Sequence, residues 1–181
     1  MAGPVNIDWA LIRKQLPCEK TPEQKAQVDH LWQLIDLNQN GYVSLAELDK
    51  ALRETLYCYQ VFECKPVIIA AFSLVKDVVG YKKSHGDYYI DQSEFRLVLL
   101  YLRQYFEYFK AFSRVDINDD QRISLQNFME QKHIIEKWIG SIKNPETSFK
   151  QIDKHGKGYI LFDDLCDWAI KKNFDVENDD D

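Results

Sequence analysis

A chain of 181 residues has room for one domain or two small lobes around a real core, and 45% hydrophobic with 13% aromatic residues excludes a disordered chain. A net charge of −6 and an isoelectric point near 5.3 argue against nucleic acid as the main partner. No apolar run is long enough to cross a bilayer, and Cys18, Cys58, Cys64 and Cys166 lack the spacing of a zinc site or a disulfide framework, which predicts a reducing intracellular home.

Residues 1–20 read as a lead and a short helix. Met1-Ala2-Gly3-Pro4 shows no basic stretch followed by an apolar run, so no secretory signal is expected. Asp8 can cap a helix carrying Trp9, Leu11, Ile12 and Leu16, and Pro17 ends it. Its Trp9 face is expected to pack on the body rather than serve as a docking peptide for a partner. Thr21-Pro22-Glu23-Gln24 is a helix start, with Thr21 as cap, Pro22 in the first turn and Gln24 three residues after the cap. Val28, Leu31, Trp32 and Ile35 continue it at helical spacing toward Asp36.

The next stretch, Asp36-Leu37-Asn38-Gln39-Asn40-Gly41-Tyr42-Val43-Ser44-Leu45-Ala46-Glu47, places oxygen-bearing side chains at its positions 1, 3, 5 and 9. These are Asp36, Asn38, Asn40 and Ser44. Gly41 stands at position 6, where the chain must turn with positive φ. Tyr42 offers a backbone carbonyl at position 7, Val43 can join a short strand, and Glu47 at position 12 can supply two carboxylate oxygens. A hard divalent cation such as Ca²⁺ wants six to eight oxygens, and this spacing delivers them from one short segment. The stretch therefore resembles the calcium loop of an EF-hand, with Mg²⁺ as a competitor for the same oxygens. Only Asp36 and Glu47 are carboxylates, so affinity is expected at about 10⁻⁵ M or weaker. Leu48, Leu52 and Leu56 mark an exiting helix.

Cys64-Lys65-Pro66 breaks the pattern, and Val67 to Val75 reads as a second entering helix. From Lys76 at position 1 to Glu94 at position 12 the following loop is seven residues too long. Ile90 keeps its spacing to Glu94, but Gly86 lies too far upstream to make the turn. This predicts a loop with an insertion and no metal, its Lys82-Lys83-Ser84-His85 tip a solvated turn. Phe95 to Phe112 is apolar almost all round and predicts one long helix, or two joined, with both faces covered by core, by a target, or by both.

A third loop, Asp116 to Asn127, keeps Asp116, Asn118, Asp120 and Ser124 at the ligand positions. Gln121 replaces the turn glycine and Asn127 the bidentate glutamate, so weak or absent binding is expected. In the fourth, Asp153 to Asp164, Gly158 and Ile160 preserve the loop shape. His155 and Lys157 stand at positions 3 and 5, and Leu161 offers no side-chain oxygen. It reads as structural, and His155 has no second soft ligand nearby for a transition metal. Trp168 and Ile170 close the last helix, and residues 176–181 form an acidic tail.

Loops ending at Glu47, Glu94, Asn127 and Asp164 mark the EF-hand superfamily. The implied fold is all-α: four helix-loop-helix units in two lobes, residues 21–106 and 107–175, each with a short two-stranded loop pairing. A narrower resemblance is to the flagellar calcium-binding proteins (calflagins). It rests on Asp8-Trp9 through Leu16-Pro17, Glu19-Lys20-Thr21, Glu94-Phe95-Arg96-Leu97-Val98-Leu99, Tyr105-Phe106-Glu107, Trp138, Asn144-Pro145 and the lengthened second loop. The resemblance implies a cytoplasmic protein of a cilium or flagellum. Family members carry an acylated glycine after the initiator methionine. Ala2 stands there and Gly3 comes one residue late, so no stable membrane anchor is expected. The family also binds calcium mainly through its third and fourth hands, which are the damaged ones here, so the ligand set comes from the first loop's own spacing.

Together these readings predict a non-enzymatic calcium-binding protein with one competent site at Asp36, Asn38, Asn40, Tyr42, Ser44 and Glu47. Its expected partners are axonemal, microtubule-associated proteins, and its role structural or that of an adaptor. A calcium-independent scaffold and a calmodulin-like sensor gripping an amphipathic target helix are the alternatives. No nucleophile-base constellation, phosphate loop or catalytic carboxylate pair is legible.

Overall fold

The computed structural model describes residues 7–79 and 89–177, with side chains except at 77–79, 138–139 and 172–177. Ala2, Gly3, the Lys82–His85 tip, Gly86 and the tail beyond 177 lie outside the described residues, as does the side chain of Trp138. The chain divides into two compact units, Met1–Phe106 and Glu107–Asp181.

The first unit opens with α1 (Trp9–Gln15), where Asp8 Oδ1 accepts the Leu11 N–H at 3.0 Å. This satisfies one of the donors that a helix start leaves free. Ile12 is buried, and the Trp9 ring meets Phe106 edge-on at 5.6 Å, so the Trp9 face does pack on the body. Thr21 caps α2 (Pro22–Ile35) with Pro22 in its first turn. Gln24 does not reach back to its cap. Its Oε1 accepts from the Cys18 and Glu19 N–H groups, both at 2.8 Å, and ties the α1–α2 connection to the helix. Val28, Trp32 and Ile35 form the buried stripe, with Trp32 at 5.5 Å from Phe95.

After β1 (Tyr42–Ser44) comes α3 (Leu45–Glu54), where Ser44 and Glu47 form a reciprocal capping box. The exiting helix thus ends before Leu56, which is nonetheless buried. Tyr57 takes φ 52 and leads into the single turn α4 (Tyr59–Phe62). The Cys64-Lys65-Pro66 break is a helix start: α5 (Lys65–Val79) begins there, and a proline in the first turn costs no hydrogen bond. Then β2 (Tyr89–Asp91) pairs antiparallel with β1 in the register Tyr42↔Asp91, Val43↔Ile90, Ser44↔Tyr89. Val43 and Ile90 are each 0% exposed, so the ribbon is nailed by two buried β-branched residues worth about 1.5–3 kcal/mol apiece.

Gln92–Val115 is one continuous helix, α6. It is not apolar all round. Arg96, Arg103, Gln104 and Lys110 are only partly buried, and Ser113 and Arg114 are exposed. The buried residues recur at helical spacing, Phe95, Val98, Leu99, Leu102, Tyr105 and Phe106 among them. Arg96 donates to the Cys18 carbonyl at 2.8 Å and Arg103 pairs with Glu19 at 2.8 Å, which anchors α6 to the chain before α2.

The second unit repeats the pattern. β3 (Ile123–Ser124) leads into α7 (Leu125–Ile139), then α8 (Pro145–Ile152) under an Asn144 cap, β4 (Tyr159–Ile160) and α9 (Phe162–Glu177). β3 and β4 are antiparallel, with the fully buried Ile123 opposite the fully buried Ile160. Phe128 stacks edge-on against Phe149 at 5.8 Å, and Phe162 receives Phe109 and Phe112 at 5.2 and 5.8 Å. At the end of α7, Glu136 Oε1 accepts from the Ile142 N–H and from Lys132, both at 2.9 Å. These two donors hold its carboxyl below the usual range, the Ile142 N–H contributing most.

Candidate metal centre

The first loop is built by its own side chains. Asp36 closes α2 and is 8% exposed. Its Oδ1 accepts the Asn40 N–H at 3.1 Å and its Oδ2 the Gly41 N–H at 3.0 Å. Asn38 Oδ1 also accepts from Asn40 N–H, at 3.0 Å, and Asn40 Oδ1 accepts the Tyr42 N–H at 2.8 Å. Short polar side chains that bond the backbone two residues on hold the chain in successive turns. Gly41 takes φ 80, as position 6 requires, and Gln39 takes φ 53.

Glu47 lies in the first turn of α3 and is held by the loop. Its Oε2 accepts from both the N–H and the hydroxyl of Ser44 at 2.8 Å, while Ser44 Oγ accepts the Glu47 N–H at 3.3 Å. Among the described residues Glu47 Oε1 accepts no hydrogen bond. The loop thus brings the six predicted residues into one segment, with Tyr42 at the start of the paired strand.

Tested against calcium, the set fits in kind: every donor is a hard oxygen, and a carbonyl or carboxylate oxygen with one hydrogen bond keeps acceptor capacity. It is sparse in charge, with two carboxylates. Among the described residues no three His, Cys, Asp or Glu side chains converge as a metal cluster, which agrees with a loop whose remaining side-chain ligands are neutral.

The third and fourth loops share this skeleton. Asp116 Oδ1 and Oδ2 accept from Asp120 and Gln121 N–H at 3.4 and 2.8 Å. Asp153 accepts from Lys157 and Gly158 N–H at 2.9 and 2.7 Å. Positions 4 and 6 are left-handed in both: Asp119 and Gln121 at φ 54 and 62, Gly156 and Gly158 at φ 61 and 80. Gln121 therefore does carry the conformation that glycine carries elsewhere, a cost of about 1–2 kcal/mol.

Their last positions differ from Glu47. Asn127 donates its N–H to Ser124 Oγ at 3.1 Å, but its side-chain Nδ2 is buried with no partner. Asp164 accepts the Leu161 N–H at 3.3 Å, and Lys154 pairs outward with Asp167 at 2.7 Å.

The first position of the second loop, expected at Lys76, falls inside α5, which continues to Val79; from the last turn of that helix Lys76 reaches the glutamate that ends the loop. Lys76 Nζ lies 3.2 Å from Glu94 Oε2, with the two side chains 16% and 4% exposed. The residue types alone did not reveal this pair, because Lys76 and Glu94 are distant in sequence. The left-handed Gln39 and Asp119 were also missed. Nothing in Gln or Asp demands that conformation; the two hydrogen bonds to the first aspartate impose it.

All four cysteines are buried and outside any disulfide. Burial pushes Cys58 up to about 11 and Cys166 well above its ordinary value, so neither is a ready thiolate at neutral pH. No helix among the described residues is long and apolar enough to cross a membrane.

Comparison with known proteins places these loops. The chain is 26% identical to a flagellar calcium-binding protein of Trypanosoma cruzi over 96% of its own length and 83% of the relative's. It is 28% identical to flagellar calcium-binding protein TB-17 of Trypanosoma brucei brucei, over 97% of its length and 76% of the relative's. A solved structure of a homolog of programmed cell death 6 protein from Leishmania major Friedlin overlaps 79% of the chain and 70% of its own, at 18% identity and a TM-score of 0.41, too loosely to bear on function. The family model described as the FCaBP EF-hand domain matches residues 12–102, just over half of the chain, and the chain belongs to that calcium-binding EF-hand family.

Proposed function

We propose that this is a flagellar EF-hand protein of four helix-loop-helix units in two paired lobes, with one competent calcium site at residues 36–47. The observation that carries the reading is the first loop itself: an ordered turn of hard oxygens that ends in a glutamate with one oxygen unbonded. Asp36, Asn38, Asn40, Ser44 and Glu47 would hold Ca²⁺ through side chains and Tyr42 through its carbonyl. The ion would supply the positive charge that joins the two ends of the loop.

The protein's part is to move Glu47. To offer both oxygens to an ion, Glu47 would loosen its bonds from Ser44. Because it sits in the first turn of α3, that displacement carries the helix with it. The names of the relatives support a flagellar location, and the absence of a spanning helix among the described residues agrees with attachment through protein contacts. An axonemal structural or adaptor component, bound to microtubule-associated proteins, is the role that fits best.

Calorimetric titration should give one calcium per chain, lost in Glu47→Gln. Absence of heat at millimolar calcium would sink the site. A second reading, a calcium-independent scaffold, is favoured by the Lys76–Glu94 pair, which sets a side-chain cation against the glutamate that ends the second loop. Sedimentation with axonemal extract separates the two: attachment unchanged by chelator supports the scaffold, attachment that requires calcium supports the adaptor.

A further inference from the structure

Glu47 and Glu94 end the two loops joined by the β1–β2 ribbon, and each accepts an N–H from the residue three before it. Ser44 N–H reaches Glu47 Oε2 at 2.8 Å, and Asp91 N–H reaches Glu94 Oε2 at 2.8 Å. The two differ in the second donor to the same oxygen. On Glu47 it is the neutral Ser44 hydroxyl at 2.8 Å; on Glu94 it is the Lys76 ammonium at 3.2 Å. Lys76 lies in the last turn of α5, where the sequence spacing puts the first position of the second loop, while Asp36 caps the end of α2. The charge of Lys76 is therefore brought to the carboxylate that a metal ion would otherwise join. With side chains 16% and 4% exposed, the pair is screened little by salt. Loss of either partner alone would strand a buried charge.

We infer that Lys76 is the built-in cation of the second loop and, through it, a positioning residue for the calcium loop. This rests on the reading of residues 36–47 as the calcium site. Lys76 holds Glu94, and Glu94 holds the Asp91 N–H at the end of β2. Asp91 stands opposite Tyr42 in the ribbon, and Tyr42 is the residue whose carbonyl the first loop contributes. The register of the ligand strand is set by a tethered ammonium instead of a second diffusing ion. Calcium at residues 36–47 then binds in a single step, with a Hill coefficient of one, against a partner strand whose glutamate is already held.

The test uses the full chain in four forms: wild type, Lys76→Met, Lys76→Arg and Glu94→Gln. Two readouts are taken, calcium affinity by calorimetry and amide hydrogen exchange at Tyr42–Ser44 and Tyr89–Asp91 in chelator. Lys76→Met should bind calcium about tenfold more weakly, in the range seen when a group that orients a ligand is lost, and its ribbon amides should exchange at least several-fold faster. Lys76→Arg, which keeps the charge, should stay close to wild type. A merely structural lysine would lower the melting temperature and leave the affinity of the folded chain unchanged; that result overturns the inference. If Lys76→Met does not fold, Glu94→Gln decides, because the charge it leaves unpaired is on Lys76, the more exposed partner. The same losses there support the inference, and unchanged values overturn it. A wild type that binds no calcium, but whose ribbon loosens in Lys76→Met, overturns the calcium site and keeps the role of Lys76 in register.

Discussion

The first and third loops have nearly the same backbone and different chemistry. Asp36 and Asp116 each accept two amide N–H groups, from the residues four and five further on. Each loop is left-handed at its fourth and sixth positions. Each hands over to a helix capped by a serine, Ser44 or Ser124. Yet the first loop ends in Glu47, locked in a capping box, and the third in Asn127, with a buried amide nitrogen that finds no partner. The lesson is that the loop's shape is made by its first aspartate and its serine cap. On the proposed reading, its capacity for a cation is decided separately, at the last position, where the two loops differ.

That separation can be broken most sharply at the last position. Glu47→Gln should weaken calcium binding by about 100-fold or more, since it removes one of only two carboxylates. The converse change, Asn127→Glu, should add a second transition to the calorimetric titration; failure to do so would show that the third loop's shape is not competent. Next in size, Asp36→Ala and Asp116→Ala should each destabilise the chelated protein by about 1–3 kcal/mol by stranding amide donors. Thermal melts should find the two alike in chelator and, if the proposed site is the first loop alone, unlike in calcium.

Smaller effects are expected at the turn. Gly41→Ala meets no neighbouring atom within 4 Å, so its cost is conformational, about 1 kcal/mol at φ 80. Gln121→Gly should move the other way by about 1 kcal/mol or less, the relief at φ 62 being offset by the freedom glycine has when unfolded. The smallest is a pH effect at Glu136. Its folded carboxyl is held low, so its contribution is present above the ordinary carboxylate pKa and fades as pH falls through the folded value. Glu136→Gln should therefore cost stability at pH 7 and much less at pH 3, as read by denaturant midpoints.

Much of this was legible in residue order. The caps at Asp8 and Thr21, the strand residue Val43, and the turn glycines Gly41 and Gly158 all act within a few positions of themselves, so spacing reveals them. Gln24 is instructive because its spacing was right and its partner wrong: the chain before α2 folds back and presents two free N–H groups closer than the cap. The polar stripe on α6 was hidden because aromatic residues dominate the count, while Arg96 and Arg103 find acceptors far away in sequence.

By itself the order of residues determined the main helices and the turn of the first twelve-residue loop, because these depend on contacts no more than about twelve residues apart. Only the tertiary structure decided that Lys76 meets Glu94, that Asp91 stands opposite Tyr42, and that Asn127 buries an unpaired nitrogen. Each depends on how the chain's folded path positions a side chain or strand among neighbours that local residue order does not identify.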